Sequence, residues 1–572
     1  MRNVKNYQDG GEAILEAFRR LNADYVISSP GSEWAPFWEA LARQKHDAAD
    51  GPAYMDCGHE SIAVNMATAY TKITGRMQIV LLHAGAGMMQ GSMALDAAGA
   101  METPLVIMSG EVLGYGEGEV DPGSQWYRNL SVAGGTQRLI EPMVKWSQQV
   151  ASIDTLHETI VRAGEMAQRT PKGPVYLCVP METMLEAWVK PESPRPVPVA
   201  PKLQPFPEDI ERVANAIAGA ACPVISVENI GPSQEAFDAL VELAELAAIP
   251  VVEGQGAFFG NFPKSHDLYL GQRIDPLLAE LDLALLVESR APWYPPSNTP
   301  PGAQIVSISE NPLKEHMAYQ AMHAETYLEG DVAATLRLLS AALRARGLDF
   351  DAIVQRRARY RAAHQGWLDG LTASENAAAA GATITPPLVM KVLRDVVPRE
   401  CCIVDETIVH QMEIREHQMW DDPLTFYRAP SGLGQGLGYA LGVKLALPER
   451  TVVLTIGDGS FMYNPVVPAL AFSAEHRLPL LILVFNNSQY AVMKHFHKRF
   501  YPDGTAVTSD DYYGVNIKGP DYEQAAAMVG GFCQRVEDPT DLPAAIEAAY
   551  ASLQKGKLAI LNLIMPGDGG VK

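Results

Sequence analysis

Val452-Val-Leu-Thr-Ile456 runs straight into Gly457-Asp458-Gly459-Ser460, and Leu480-Leu-Ile-Leu-Val-Phe485 ends in Asn486-Asn487. Both runs are short, wholly apolar or β-branched, and closed by turn-forming residues, which predicts two buried parallel strands. Adjacent parallel strands deliver the Asp carboxylate and the Asn amide oxygen to one carboxyl edge of a sheet, where α/β proteins bind their ligands. Glycines flanking Asp458 let backbone approach a diphosphate closely. Oxygen donors of this kind suit Mg²⁺, which takes few protein groups and completes its shell with phosphate and water.

The same pattern extends outward along the chain. Tyr25–Ser29, Ile79–Leu82, Pro104–Met108, Val175–Val179, Val224–Val227, Ile305–Ile308 and Leu558–Ile564 read as further buried strands. Amphipathic helical stretches such as Gly11–Leu21, Ser61–Thr71 and Asp541–Leu553 lie between strands of this kind. Two breaks divide the chain. Seven prolines between Trp188 and Glu208 make a stiff connector, and an Ala-rich stretch, Ala373–Ala382, precedes the helix start at Ile384–Met390. The expected fold is three consecutive α/β domains with mostly parallel sheets, over residues 1–190, 207–345 and 375–572. No sequence repeat is visible, although a shared architecture of the first and third domains is compatible with the pattern.

Composition narrows the class. The 572 residues are 47% hydrophobic and 20% charged, enough apolar material for several cores. Acidic residues outnumber basic ones 67 to 45, and the net charge of −22 argues against nucleic acid and anionic lipid as partners. An anionic substrate then needs a local positive cluster. The six cysteines lack Cys-x-x-Cys spacing and read as buried small residues of a reducing compartment. The polar first nine residues are no signal peptide, and no apolar stretch reaches the roughly 20 residues of a membrane span. A cytoplasmic protein is expected.

Two further motifs join the first. Cys57-Gly-His-Glu60 sets a carboxylate at the start of an amphipathic helix, and Pro430-Ser431-Gly432-Leu433-Gly434-Gln435-Gly436-Leu437-Gly438 precedes another helix. The order and spacing of the three resemble thiamine diphosphate enzymes of the acetolactate synthase, benzoylformate decarboxylase and pyruvate decarboxylase family. The resemblance covers the whole chain and implies pyrimidine-binding, central and diphosphate-binding domains in that order. It implies that Asp458, the Asn487 side chain and the Gln489 backbone carbonyl hold Mg²⁺, with Thr407, Ser431, Gly459 and Ser460 at the cofactor. Leu433 would wedge beneath the cofactor and keep it bent. Glu60 would bond N1′ of the aminopyrimidine, stabilising the imino tautomer whose 4′-nitrogen removes the C2 proton.

The loop Ser29-Pro30-Gly31-Ser32-Glu33 and the histidine of Leu82-His83-Ala84-Gly85 look closest to benzoylformate decarboxylase. On that likeness Ser32 contacts the substrate carboxylate and His83 moves protons. Two departures follow. The central-domain stretch Glu288–Pro296 has no histidine, leaving Arg290 or Trp293 as candidates to line the site. Met493 replaces the glutamate that pyruvate decarboxylases carry after the Asn-Asn pair. The positive cluster sought above is Lys494-His495-Phe496-His497-Lys498-Arg499, with Lys494 as a candidate for holding a carboxylate or coenzyme A phosphates, and His495 and His497 as further proton donors. The central domain lacks Gly-x-Gly-x-x-Gly, so FAD is not expected, although acetolactate synthases often bind it there.

The resulting expectation is a thiamine diphosphate- and Mg²⁺-dependent lyase that decarboxylates a 2-oxoacid, or ligates the product through a C2-carbanion and enamine. The alternatives are cleavage or ligation of 2-hydroxyacyl-CoA compounds and a non-catalytic cofactor-binding paralogue. The resemblance also implies homodimers or homotetramers, with the cofactor between the first domain of one subunit and the third of another.

Overall fold

The computed structural model describes residues 8–111, 114, 121, 123, 130–314, 317, 324–430 and 432–567. Three all-parallel sheets are present among them. The first contains β1 (Tyr25–Ser29), β2 (Ala53–Asp56), β3 (Gln78–Leu82), β4 (Leu105–Glu111), β5 (Trp146–Gln149) and β6 (Val175–Pro180). Its strand order is β2-β1-β3-β4-β6-β5. The second contains β7 (Pro223–Val227), β8 (Val251–Glu253), β9 (Leu283–Val287), β10 (Gln304–Ser309) and β11 (Thr326–Glu329), in the order β11-β10-β9-β7-β8. The third contains β12 (Cys402–Glu406), β13 (Phe426–Arg428), β14 (Val452–Gly457), β15 (Leu481–Asn486), β16 (Phe532–Val536) and β17 (Ala559–Ile564). Its order, β13-β12-β14-β15-β17-β16, repeats that of the first sheet strand for strand.

This repeated order has a functional meaning. The order in which strands are added reverses between β1 and β3 in the first sheet and between β12 and β14 in the third, and the carboxyl ends at such switch points are where open α/β sheets bind ligands. The central strands of each sheet are fully buried and carry aliphatic side chains on both faces, as helix-covered parallel sheets require. Each sheet has its own apolar core, with Phe18, Phe37 and Leu81 in the first, Leu240, Leu285 and Leu336 in the second, and Val453, Leu483 and Ile546 in the third.

The Ala-rich stretch is not the break that composition suggests. A 30-residue helix, Phe350–Ala379, runs through most of it, because alanine is the best helix former. The chain turns only between Ala380 and the helix at Pro386–Val396, whose two leading prolines fit a helix start. None of the six cysteines is disulfide-bonded, and Cys57, Cys178, Cys401 and Cys402 are buried. No helix among the described residues is long and apolar enough to cross a membrane.

The compact unit built around the first sheet takes in Met1–Pro201 together with Pro430–Ala446 and Pro465–Phe472. Its added helix, Gly436–Ala446, lies against the helix Glu60–Thr74, with glycines at the points of closest approach. A Cβ on Gly438 would lie 2.9 Å from Asn65 Cβ, and one on Gly442 would lie 2.5 Å from the Met66 carbonyl oxygen. Gly442→Ala must push two helices apart, and we expect it to cost about 1–3 kcal/mol, read as a lower melting temperature.

Candidate active site

At the first switch point, β1 and β3 are paired as far as Ser29 and Leu82, so the residues after them emerge side by side. His83 continues the ladder, its N–H donating to the Ser29 carbonyl at 3.1 Å. Ser32 and Glu33 follow β1 in a short turn, Ser32–Trp34, which Trp34 anchors by donating from Nε1 to the Leu82 carbonyl at 2.9 Å. Ser32 is exposed and Glu33 is fully buried. The helix Glu60–Thr74 is capped by the His59 side chain and opens on Glu60. The Glu60 carboxylate lies over Gly87 on the next helix, where an added Cβ would come within 3.2 Å of its Oε1 and 3.0 Å of His83 Cβ. Ser32, Glu60 and His83 therefore belong to one carboxyl edge, and a glycine makes room for the last two.

Charge in this half is lopsided. Glu33 contacts His83 Nδ1 with both oxygens, at 2.9 and 3.0 Å. The hydrogen bond to Glu33 raises the His83 pKa above the ordinary histidine value, burial opposes it, and the charges of Glu33, Glu60 and Glu111 add to the rise. Buried Glu111 accepts from Ser131 Oγ at 2.6 Å and Thr136 Oγ1 at 3.0 Å. Sequence reasoning quoted Glu33 without giving it a role. The available signal was an acid directly after the Pro30-Gly31-Ser32 turn.

The second switch point has the oxygen-donor set. The register pairs Glu406 with Ile456 and Gly457 with Phe485, so Thr407, Asp458 and Asn486 leave the sheet level with one another. Asp458 is 3% exposed, and burial lifts its carboxyl to about 6. One of its oxygens, Oδ2, has no hydrogen-bond partner. A buried carboxylate in this state is costly unless a cation reaches it. The two asparagines divide the work. Asn486 accepts from Ser488 N–H at 3.1 Å and donates to Asn562 Oδ1 at 3.0 Å, and is spent inside the fold. The Asn487 amide oxygen takes one bond, from Gln489 N–H at 3.1 Å, which leaves it a lone pair. Asp458, Asn487 and the Gln489 carbonyl thus fit a hard divalent cation by donor chemistry. Among the described residues no group of three or more His, Cys, Asp or Glu is placed to hold a metal.

Further residues crowd the same edge of the sheet. A Cβ at Gly459 would lie 2.5 Å from Tyr490 Cε1, so a larger residue there would have to displace the tyrosine ring. Ser460 is buried beside it, and the Thr407 hydroxyl donates to Asp405 Oδ1 at 2.7 Å. His410, which sequence reasoning passed over, is 3% exposed, has no hydrogen-bond partner at either ring nitrogen, and is close enough to Asp458 to favour its ionised form. Leu433 is half-buried, whereas Ser431 and all of the Glu111–Trp126 loop except Glu111, Gly114, Asp121 and Gly123 lie outside the described residues.

The candidate substrate residues are placed less simply. Arg290 donates to the Gly256 carbonyl at 2.9 Å, stacks on Phe258 and lies 3.6 Å from buried Glu228. Trp293 packs in the second sheet's core and donates to the Pro296 carbonyl at 3.2 Å. Lys494 is buried, bridged to Asp510 at 3.1 Å and set over the Tyr512 ring. His497 meets the same ring edge-on, His495 is half-buried, and Lys498 and Arg499 are exposed. Met493 is 50% exposed.

Comparison with known proteins bears on the order of the domains. Family models described as the N-terminal thiamine pyrophosphate (TPP) binding domain, central domain and C-terminal TPP binding domain of thiamine pyrophosphate enzymes match residues 8–129, 210–339 and 409–563. Benzoylformate decarboxylase of Pseudomonas aeruginosa is 27% identical, over 94% of this chain and 96% of that one. The acetolactate synthase large subunit of Haemophilus influenzae is 23% identical, over 97% and 94%. Among solved structures, benzoylformate decarboxylase from Polynucleobacter necessarius shares the fold at a TM-score of 0.77 and 20% identity, covering 99% of both chains. The 4-hydroxybenzoylformate decarboxylase of Rhodococcus jostii does so at 0.76 and 22%, covering 98% of this chain and all of its own.

Proposed function

The chain belongs to the thiamine pyrophosphate enzymes, and we propose that it is a thiamine diphosphate- and Mg²⁺-dependent lyase acting on a 2-oxoacid, by decarboxylation, carboligation or both. The observation that carries this reading is buried Asp458, with one oxygen unpaired, beside Asn487 at the carboxyl edge of the third sheet. In it, Asp458, Asn487 and the Gln489 carbonyl hold Mg²⁺, while Thr407, Ser431, Leu433, Gly459 and Ser460 hold the cofactor. Bound cofactor supplies the electron sink for carbon–carbon cleavage. Glu60 holds and moves a proton at N1′ of its aminopyrimidine, Ser32 orients the substrate carboxylate, and His83 delivers a proton to the product carbon. The similarity to a benzoylformate decarboxylase supports an aryl 2-oxoacid as the first substrate to try.

Three finer points belong to the same reading. The chain works in the cytoplasm as a homodimer or homotetramer whose subunits share each site. The central domain takes no FAD. In support, the Glu228 carboxylate fills the edge between β7 and β9, accepting from Arg290 N–H at 2.9 Å, Ser289 Oγ at 3.1 Å and Ala291 N–H at 3.3 Å, so donors suited to a phosphate are already used. A panel of aliphatic and aryl 2-oxoacids, assayed for CO₂ release with thiamine diphosphate and Mg²⁺, tests the main proposal. Turnover of at least one is expected, and a cofactor-loaded protein inert toward all of them would overturn it.

A further inference from the structure

We propose that Glu33 is a positioning residue that holds His83 as an imidazolium and commits its Nδ1, leaving Nε2 as the ring's outlet for a proton. The inference rests on the reading of His83 as a proton donor, and adds to it the group that sets its charge and direction.

The geometry is specific. Glu33 is fully buried, and its ion-pair partner is His83. One carboxylate spans two consecutive residues, since Oε1 also accepts the Ala84 backbone N–H at 3.1 Å. Two glycines make room for the pair. A Cβ at Gly31 would lie 1.8 Å from His83 Nδ1, and one at Gly110 would lie 2.2 Å from Glu33 Cγ. An ionised carboxylate this deep needs a cation beside it, and the imidazole supplies one only when protonated. The other charged groups facing His83 act in the same sense, Glu60 from its helix and Glu111 from the end of β4.

The pairing also sets direction. With Nδ1–H donated to Glu33, the proton available for transfer is the one on Nε2. When it leaves, the Nε2–H bond breaks as a C–H bond forms on the product carbon, and the neutral ring is recharged by water. A carboxylate that merely anchored the chain at Ala84 would do so equally well as an amide, and this separates the two roles.

The test is Glu33→Gln in the full-length, cofactor-loaded protein, with histidine titrations followed by NMR and His83 assigned from the spectrum of His83→Gln. In the wild type His83 should titrate above the ordinary histidine value. In Glu33→Gln the midpoint should fall by about 1–2 pH units, and the alkaline limb of kcat/KM should move down with it. Glu33→Asp, which keeps the charge but withdraws it, should fall between the two. A midpoint unmoved in Glu33→Gln, or a wild-type His83 that titrates at or below the ordinary value, overturns the proposal even if the variant folds poorly. A midpoint that falls while the rate profile stays fixed supports the hold of Glu33 on His83 and instead overturns the role of His83 in turnover.

Discussion

Glu60→Gln is expected to keep its cofactor and lose turnover by about 100- to 10,000-fold, the usual range for removing a positioned acid–base group. The substitution keeps the shape of the side chain. Glu60 lies on the first turn of its helix over Gly87, partly open to solvent, and depends on no packing contact that an amide of equal size would break. What is lost is the exchangeable proton at the ring nitrogen, so the deficit should fall on kcat rather than on cofactor affinity. Steady-state rates with a turned-over 2-oxoacid, together with cofactor-dependent thermal shift, separate the two. Near-normal rates would remove Glu60 from the chemistry.

Asp458→Ala should abolish Mg²⁺-dependent retention of the cofactor, so that gel filtration in Mg²⁺ buffer returns protein without bound thiamine diphosphate. The structure gives the reason. Asp458 is the buried carboxylate of the oxygen-donor set, and Asn487 and a backbone carbonyl are neutral. Removing it leaves a divalent ion beside a diphosphate with no protein anion to share the site. The apo fold should survive, because burial already disfavours the ionised form and one oxygen is unpaired. Unaltered Mg²⁺-dependent binding would reassign the metal site.

Much of this architecture was legible in the chain because the signals are local. An aliphatic run ending in Gly457-Asp458-Gly459, a second ending in Asn486-Asn487, and Glu60 at a helix start each state their role within about ten residues. Parallel strands with both faces covered have few other readings. What escaped notice depends on neighbours distant in sequence. Glu33 gains a role only because β1 pairs with β3, which brings it against His83, 50 positions further along the chain. His410 sits in a loop whose importance comes from the switch point beside β12. The alanine stretch misled for the opposite reason, since high helix propensity and low complexity look alike until the ends of the helix are known.

The glycine-lined contact between the helices Glu60–Thr74 and Gly436–Ala446 has a further consequence for biosynthesis. The N-terminal unit is synthesised by residue 201, but its remaining segments leave the ribosome roughly 250 residues later, about 10–50 s at ordinary translation rates. Through that interval an apolar helix face waits uncovered, and a gene fragment ending near Pro201 never covers it. Soluble expression of this unit should therefore require the later segments to be grafted on, and nascent chains stalled before Pro430 should be held by chaperones.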